Sequence, residues 1–253
     1  MVHFVGAGPG AVDLITLRGK KLIENADVII YAGSLVNPEL LKFAKAEAKL
    51  YNSAEMTLEE VISAIKEAEK NGSEVVRLHT GEPSIYGAVR EQMDLLDEVG
   101  ISYDSTPGVS ACFGAASSLN LEYTLPGISQ TLIITRMEGR TAVPTGESIE
   151  SLAAHRASMA IYLSAGMLEG LSEKLIAGGY PEDTPAAIVF KASWPEEKKV
   201  FCTVKTLKEA GEKEGIRNLA VILVGDAVAQ NGYERSRLYA PDFTTGFRKG
   251  TEE

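Results

Sequence analysis

Two α/β units, each a sheet covered by helices, are predicted by three observations. Apolar runs of strand length alternate with amphipathic segments. The alternation occurs twice along the chain. Between the two stretches, from Ser117 to Gly127, the pattern weakens and Pro126-Gly127 precede a new strand. The expected layout is an N-terminal domain over 1–119, a C-terminal domain over 120–240, and a loosely held tail over 241–253, where the composition turns to PDFTTGFRKGTEE.

Each element has its own justification. Strand candidates are Val2–Val5, Val28–Tyr31, Val75–His79, Leu132–Thr135, Met159–Leu163, Ala186–Phe190, Val200–Thr203 and Leu219–Val224, with a short extended stretch over Ile101–Ser105. A helix can occupy Asp13–Asn25. The clearest helix starts at Thr57, where Thr57 and Glu60 have capping-box spacing, Leu58, Val61, Ile62 and Ile65 form one apolar stripe, and Asn71-Gly72 stops it. Further helices are expected over Gly87–Val99, ended by Gly100, and over Leu168–Ala177, ended by Gly178-Gly179. Another opens at Thr206, with Glu209 in capping-box spacing. Lys198 and Lys199 beside Glu196 and Glu197 suggest a polar hairpin turn, and the polar stretch Gly139–Glu147, with Pro144, a loop beside a site.

Composition narrows the function classes. The chain has 253 residues, 25 Lys plus Arg against 35 Asp plus Glu, and a formal charge of −10. An acidic balance argues against a general binder of nucleic acid or anionic membrane, which needs a positive contact face. Cys112 and Cys202 lie far apart, and His3, His79 and His155 have no ligand spacing, so neither a disulfide framework nor a metal site is expected. MVHFVGAGPG lacks a basic flank before an apolar signal core, and no apolar run is long enough to span a bilayer; a cytoplasmic protein is the expectation.

Three small-residue loops carry the chemical signal. Gly6-Ala7-Gly8-Pro9-Gly10 follows the first strand, Thr80–Gly87 follows Val75–His79, and Pro107–Ala111 follows the stretch Ile101–Ser105. In an open α/β sheet, ligands sit beyond the carboxyl ends of strands, where glycines let the backbone approach closely. Each loop alone reads equally well as turn chemistry; the three together favour a small-molecule site. The first is not a dinucleotide fingerprint: Ala11 replaces its last glycine, and Asp27 precedes the second strand instead of closing it, which counts against a nicotinamide-dependent oxidoreductase. Pro9 removes an amide donor, suiting an apolar ligand face better than a phosphate cradle.

GAGPGAVDLITLRG, TGEPSIYGA, PGVSA, MAIYLSAGM followed by LSEKLIAGGY, and LAVILVGDAV occur in the order found in the tetrapyrrole methyltransferases, and the chain resembles that family from Val2 to about Ala240. Within it, Tyr31–Leu41 and Thr135–Met167 are similar to the branch that methylates carbon 11 of precorrin-4 or cobalt-precorrin-4 on the route to cobalamin; another precorrin methylase or a diphthine synthase is the nearest competitor, and a non-catalytic ligand-binding protein the more distant one. The resemblance implies two α/β domains with a cofactor cleft between them, a homodimer, a tetrapyrrole substrate, and S-adenosylmethionine as methyl donor without a protein-bound metal. It implies donor contacts from Pro9, Thr80, Gly81, Glu82, Ile85, Tyr86, Ser110, Ala111, Leu163, Ala192, Leu219 and Ala220. Gly81-Glu82-Pro83 departs from the usual Gly-Asp-Pro, and many relatives have methionine at Leu163. For Ile85 or Leu163 alone, core packing is the simpler reading. No residue is identified as a catalytic base: Glu82 is the nearest carboxylate, and holding its own loop is the favoured role for it. The implied substrate carries many carboxylates, so an acidic protein must concentrate cations locally, and Arg136 and Arg140 are the best placed.

Overall fold

The computed structural model describes residues 1–251. The chain divides into two units, Met1–Ala115 with Lys191–Glu197, and Ala116–Phe190 with Lys198–Glu253.

In the first unit the strands are β1 (Val2–Gly6), β2 (Val28–Tyr31), β3 (Lys49–Asn52), β4 (Val75–His79) and β5 (Tyr103–Thr106), and the helices α1 (Leu17–Asn25), α2 (Leu58–Lys70), α3 (Arg90–Glu98) and the start of α4 (Ala111–Leu119). Every strand pair is parallel, in the order β3-β2-β4-β1-β5. Parallel strands are joined by crossovers, which cover both faces, so β1, β2 and β4 are buried on both sides. Val2, Phe4, Val28, Ile30 and Val75 pack against Val61, Ile62 and Ile65 of α2 and Leu96 of α3. On the opposite face Val5, Ile29, Val76 and Leu78 pack against Ile23 of α1 and Leu40.

The Thr57 capping box forms as the spacing predicts: Thr57 Oγ1 accepts from Glu60 N at 3.3 Å and Glu60 Oε2 from Thr57 N at 2.7 Å. The expected Asp13–Asn25 helix is shorter, a 3-10 turn over Val12–Leu14 followed by α1, whose cap is Thr16, accepting from Gly19 N at 3.1 Å. β3 has no counterpart among the strands that the sequence pattern predicts. It is an edge strand with exposed Lys49 and Leu50, so no apolar alternation marks it.

The second unit holds β6 (Leu132–Arg136), β7 (Ser158–Tyr162), β8 (Pro185–Phe190), β9 (Lys198–Thr203) and β10 (Ala220–Val224), with α5 (Ile149–Ala153), α6 (Leu168–Ala177) and α7 (Leu207–Lys213). The order is β6-β7-β10-β8-β9, parallel only between β6 and β7. Met159, Ile161, Ile188, Ile222 and Val224 form a core with Ile149, Leu171, Leu175 and Leu207. Lys198 and Lys199 lie in β9, paired with Phe190 and Val189, and not in the hairpin turn that their charge suggested. The second capping box is also absent: Thr206 Oγ1 accepts from Thr203 N at 2.9 Å, turning the chain out of β9 and leaving α7 without a side-chain cap. Beyond Tyr239 the described residues are mostly exposed, with Arg248 donating to the carbonyls of Leu238, Ala240 and Phe243. No helix among the described residues is long and apolar enough to cross a membrane.

Ile65 is fully buried under the first sheet, so Ile65→Ala should cost about 2 to 5 kcal/mol through lost transfer energy and a residual cavity. Urea denaturation should show a lower midpoint at an unchanged slope.

Candidate functional site

The strand order of the first unit places β1 beside β4 while the chain leaves them in opposite directions, β1 towards β2 and β4 towards β5. Such a switch point opens a crevice at the carboxyl ends of the two strands. The register sets Gly6 against His79, Val5 against Thr106 and Tyr31 against Leu78, so the three small-residue loops emerge along one edge.

Backbone contact joins these loops. Gly8 and Gly81 form an isolated bridge, with Gly81 N donating to Gly8 O at 2.9 Å, and Ala7 N donates to His79 O at 2.7 Å. A Cβ on Gly6 would lie 2.5 Å from Gly108 N, and one on Gly108 would lie 2.1 Å from Gly81 O. No side chain fits at either position, and Gly81 has φ +58°, which favours glycine. Glu82 ties the second and third loops together: Oε1 accepts from Ser84 N at 2.9 Å and Oε2 from Gly108 N at 2.8 Å. Burial opposes its ionisation, but the two backbone donors outweigh it and hold the carboxyl below the usual glutamate range. The longer side chain at Glu82 therefore bridges two loops.

The first loop is clasped from outside by residues that belong to none of the three loop motifs. Trp194 Nε1 donates to Pro9 O at 2.9 Å, Asn37 Nδ2 donates to Gly10 O at 2.8 Å, and Ala11 N donates to Ser193 Oγ at 2.9 Å. The indole lies where a Cβ of Gly10 would fall, 2.0 Å from Cδ1. Ala192 is buried beside them, near Gly114. The signal for this clasp was the lone tryptophan in KASWPEE just after a strand.

Of the residues implied by resemblance, the first unit brings together Pro9, Thr80, Gly81, Glu82, Ile85, Tyr86, Ser110, Ala111 and Ala192 on these loops, the start of α4 and the Lys191–Glu197 segment. Tyr86 has φ 56° and is 46 % exposed, an open position for an aromatic residue. In the second unit Leu163 follows β7 and Leu219 precedes β10; continuing the β7–β10 register sets Ala220 opposite Leu163. Leu163 is 68 % exposed with φ 54°, and Leu219 is 38 % exposed with φ 53°. The exposure of Leu163 removes core packing as its role. Non-glycine residues held left-handed concentrate at functional sites.

Arg136 ends β6 beside Tyr162, and its guanidinium donates to the carbonyls of Met137 at 3.3 Å, Thr141 at 3.2 Å and Ala142 at 2.7 Å, fixing the loop that follows. Arg140 is exposed on that loop. A pocket of about 600 Å³ lies between the loop and α5, lined by Glu138, Gly139, Val143, Thr145, Ser148 and Ser151. Lys174 bonds Glu138 and Glu150 at 2.6 Å each, and these bonds hold both carboxyls below their usual range.

In this two-unit α/β protein the first, all-parallel sheet carries three glycine-containing loops along one edge beside its switch point, the arrangement that small-molecule sites of open α/β sheets use. The chain belongs to the tetrapyrrole (corrin/porphyrin) methylases, whose family profile matches residues 1–208. It is 52 % identical over 248 residues to the cobalt-precorrin-4 C(11)-methyltransferase of Methanocaldococcus jannaschii, covering 98 % of this chain and 96 % of that one. To the precorrin-4 C(11)-methyltransferase of Pseudomonas aeruginosa it is 42 % identical, over 98 % of this chain and 99 % of the relative. Among solved structures it is similar to the cobalt-precorrin-4 methyltransferase CbiF, with a TM-score of 0.88 and 44 % identity over 90 % of this chain and 95 % of that one.

His79, at the end of β4, is buried with Nε2 unpartnered among the described residues. Burial, and secondarily the charge on Arg77, push its pKa from 6.5 down to about 3. The folded chain thus keeps a neutral imidazole where the unfolded chain takes up a proton, and the stability this imparts is complete above pH 6.5 and lost as pH falls towards 3. His79→Phe should flatten the fall in stability between pH 7 and pH 4 by up to about 1.4 kcal/mol per pH unit. Urea denaturation across that range measures it; equal slopes in wild type and variant would refute it.

Proposed function

We propose that the chain is an S-adenosylmethionine-dependent methyltransferase acting on carbon 11 of cobalt-precorrin-4 or precorrin-4 in cobalamin biosynthesis. The observation that carries this reading is near full-length similarity to relatives named for that reaction, joined to strand-end loops in which glycine is sterically required. We further read the enzyme as cytoplasmic and homodimeric.

The loops suit the donor. Backbone N–H and C=O groups, with apolar Ile85 and Pro9, match a ligand that presents an amino-acid end, a ribose and an adenine. When bound, S-adenosylmethionine supplies an activated sulfonium methyl, transferable in line to an electron-rich ring carbon. The protein's part is to orient and to exclude water. Thr80, Gly81, Glu82, Ile85, Tyr86, Ser110, Ala111 and Ala192 are assigned to donor binding together with Pro9, and Leu163, Leu219 and Ala220 receive the same role. Glu82 is ionised and already accepts two backbone bonds, so its role is to set loop geometry. His79, buried and neutral, is likewise outside the acid–base chemistry. Arg140 and the unused guanidinium donors of Arg136 are assigned to substrate carboxylates.

Calorimetry tests donor binding: S-adenosylhomocysteine should bind and NAD should not, and Gly108→Ala, whose Cβ collides with Gly81 O, should weaken binding at least tenfold, counted as roughly 1.4 kcal/mol or more. Labelled S-adenosylmethionine with each form of the tetrapyrrole, followed by mass spectrometry, tests the reaction. NAD binding tighter than S-adenosylhomocysteine would remove the reading.

The arginines separate by variant. Arg140→Ala should weaken tetrapyrrole binding by about 1.5 to 3 kcal/mol if its contact is desolvated and by less than about 1 if exposed, leaving donor affinity unchanged. Arg136→Ala should weaken it further and loosen the loop over 137–142. Titration of both variants against salt checks this, since losing a charge pair flattens the salt dependence.

A further inference from the structure

Arg77 lies in the middle of β4, 6 % exposed, and among the described residues no carboxylate pairs with it. Neutral partners hold the guanidinium instead. Nη1 donates to Ile30 O at 3.0 Å, Nη2 to Ser53 Oγ at 3.1 Å, and Nε to Gln92 Oε1 at 2.9 Å. Ser53 Oγ in turn donates to Tyr31 O at 3.0 Å. Gln92 is itself buried, in the first turn of α3, and its Nε2 donates to Ala88 O at 2.9 Å.

This chain of bonds has a direction. A guanidinium donates and never accepts, so Arg77 requires the oxygen of the Gln92 amide on its side. The amide nitrogen is thereby turned towards Ala88. At that point the backbone needs an external hold: Tyr86 and Ala88 have φ 56° and 49°, and α3 has no side-chain cap at Val89. Left-handed non-glycine residues persist only where their surroundings fix them. Tyr86 and Ile85 lie on the same loop.

We propose that Gln92, oriented by Arg77, is a positioning residue that fixes the Thr80–Ala88 loop in its binding geometry, so that affinity for the methyl donor depends on a part-buried bond anchored from the core behind the loop. This rests on the assignment of that loop to the donor.

Gln92→Glu separates the two halves of the relay. The carboxylate still accepts from Arg77, now as an ion pair, but beside a guanidinium it stays ionised and cannot donate to Ala88 O. Gln92→Met removes both bonds without adding charge. Titration with S-adenosylhomocysteine should show Gln92→Glu binding about two- to tenfold more weakly than wild type, the loss expected when one part-buried hydrogen bond is removed. Its melting temperature should be unchanged or raised, amide exchange over residues 83–89 should be faster, and KM for the donor should rise with kcat retained. Gln92→Met should show the same weakening with a lower melting temperature. Wild-type affinity and wild-type exchange over 83–89 in whichever of these variants folds would overturn the proposal. A wild-type chain that fails to bind S-adenosylhomocysteine would instead overturn the donor assignment, while the exchange measurement still tests the tether.

Discussion

The approach of the Gly6 and Gly108 backbones to each other and to Gly81 O, closer than a Cβ at either position allows, is the constraint on which the first unit's loop edge depends. Three strands must end in register for it to occur, and the β1–β4 and β1–β5 pairings supply that register. Glu82 then locks the second and third loops with one carboxylate, and Trp194, Asn37 and Ser193 engage the outward polar groups of the first. The parallel sheet, covered on both faces, fixes the strand ends; the glycines turn that rigidity into close backbone packing.

Charge is used differently in the two units. In the first, Arg77 is held in the interior by neutral dipoles, and His79 is kept uncharged beside it. In the second, Lys174 stands between two carboxylates, and Arg136 is tied to three carbonyls of its own loop. The arginine that we assign to substrate carboxylates thus also holds its own loop in shape.

Much of this was legible in the sequence where periodicity and glycine placement are strong. The Thr57 capping box and the buried, mostly apolar strands β1, β2 and β4 follow from local pattern, and the three loops from glycines at strand ends. Edge strand β3 and the start of β9 were not legible, because exposed strands carry the polar residues that also mark turns. Thr206 shows how one spacing serves two geometries, since its hydroxyl is already engaged with Thr203. The clasp of Trp194 on Pro9 joins residues nearly two hundred positions apart, and the Arg77–Gln92–Ala88 relay depends on a helix turning an amide back towards a loop. The relay leaves no local signature, and the clasp leaves only the lone tryptophan after a strand.

Trp194 is the only tryptophan in the chain. Its indole N–H is bonded to Pro9 O, its ring covers Gly10, and the Lys191 ammonium stands 5.0 Å from its centre. Indole emission is sensitive to hydrogen bonding, nearby charge and solvent, and here a single fluorophore samples all three at one loop. The protein therefore carries a built-in optical label on its first glycine turn, free of background from any other indole.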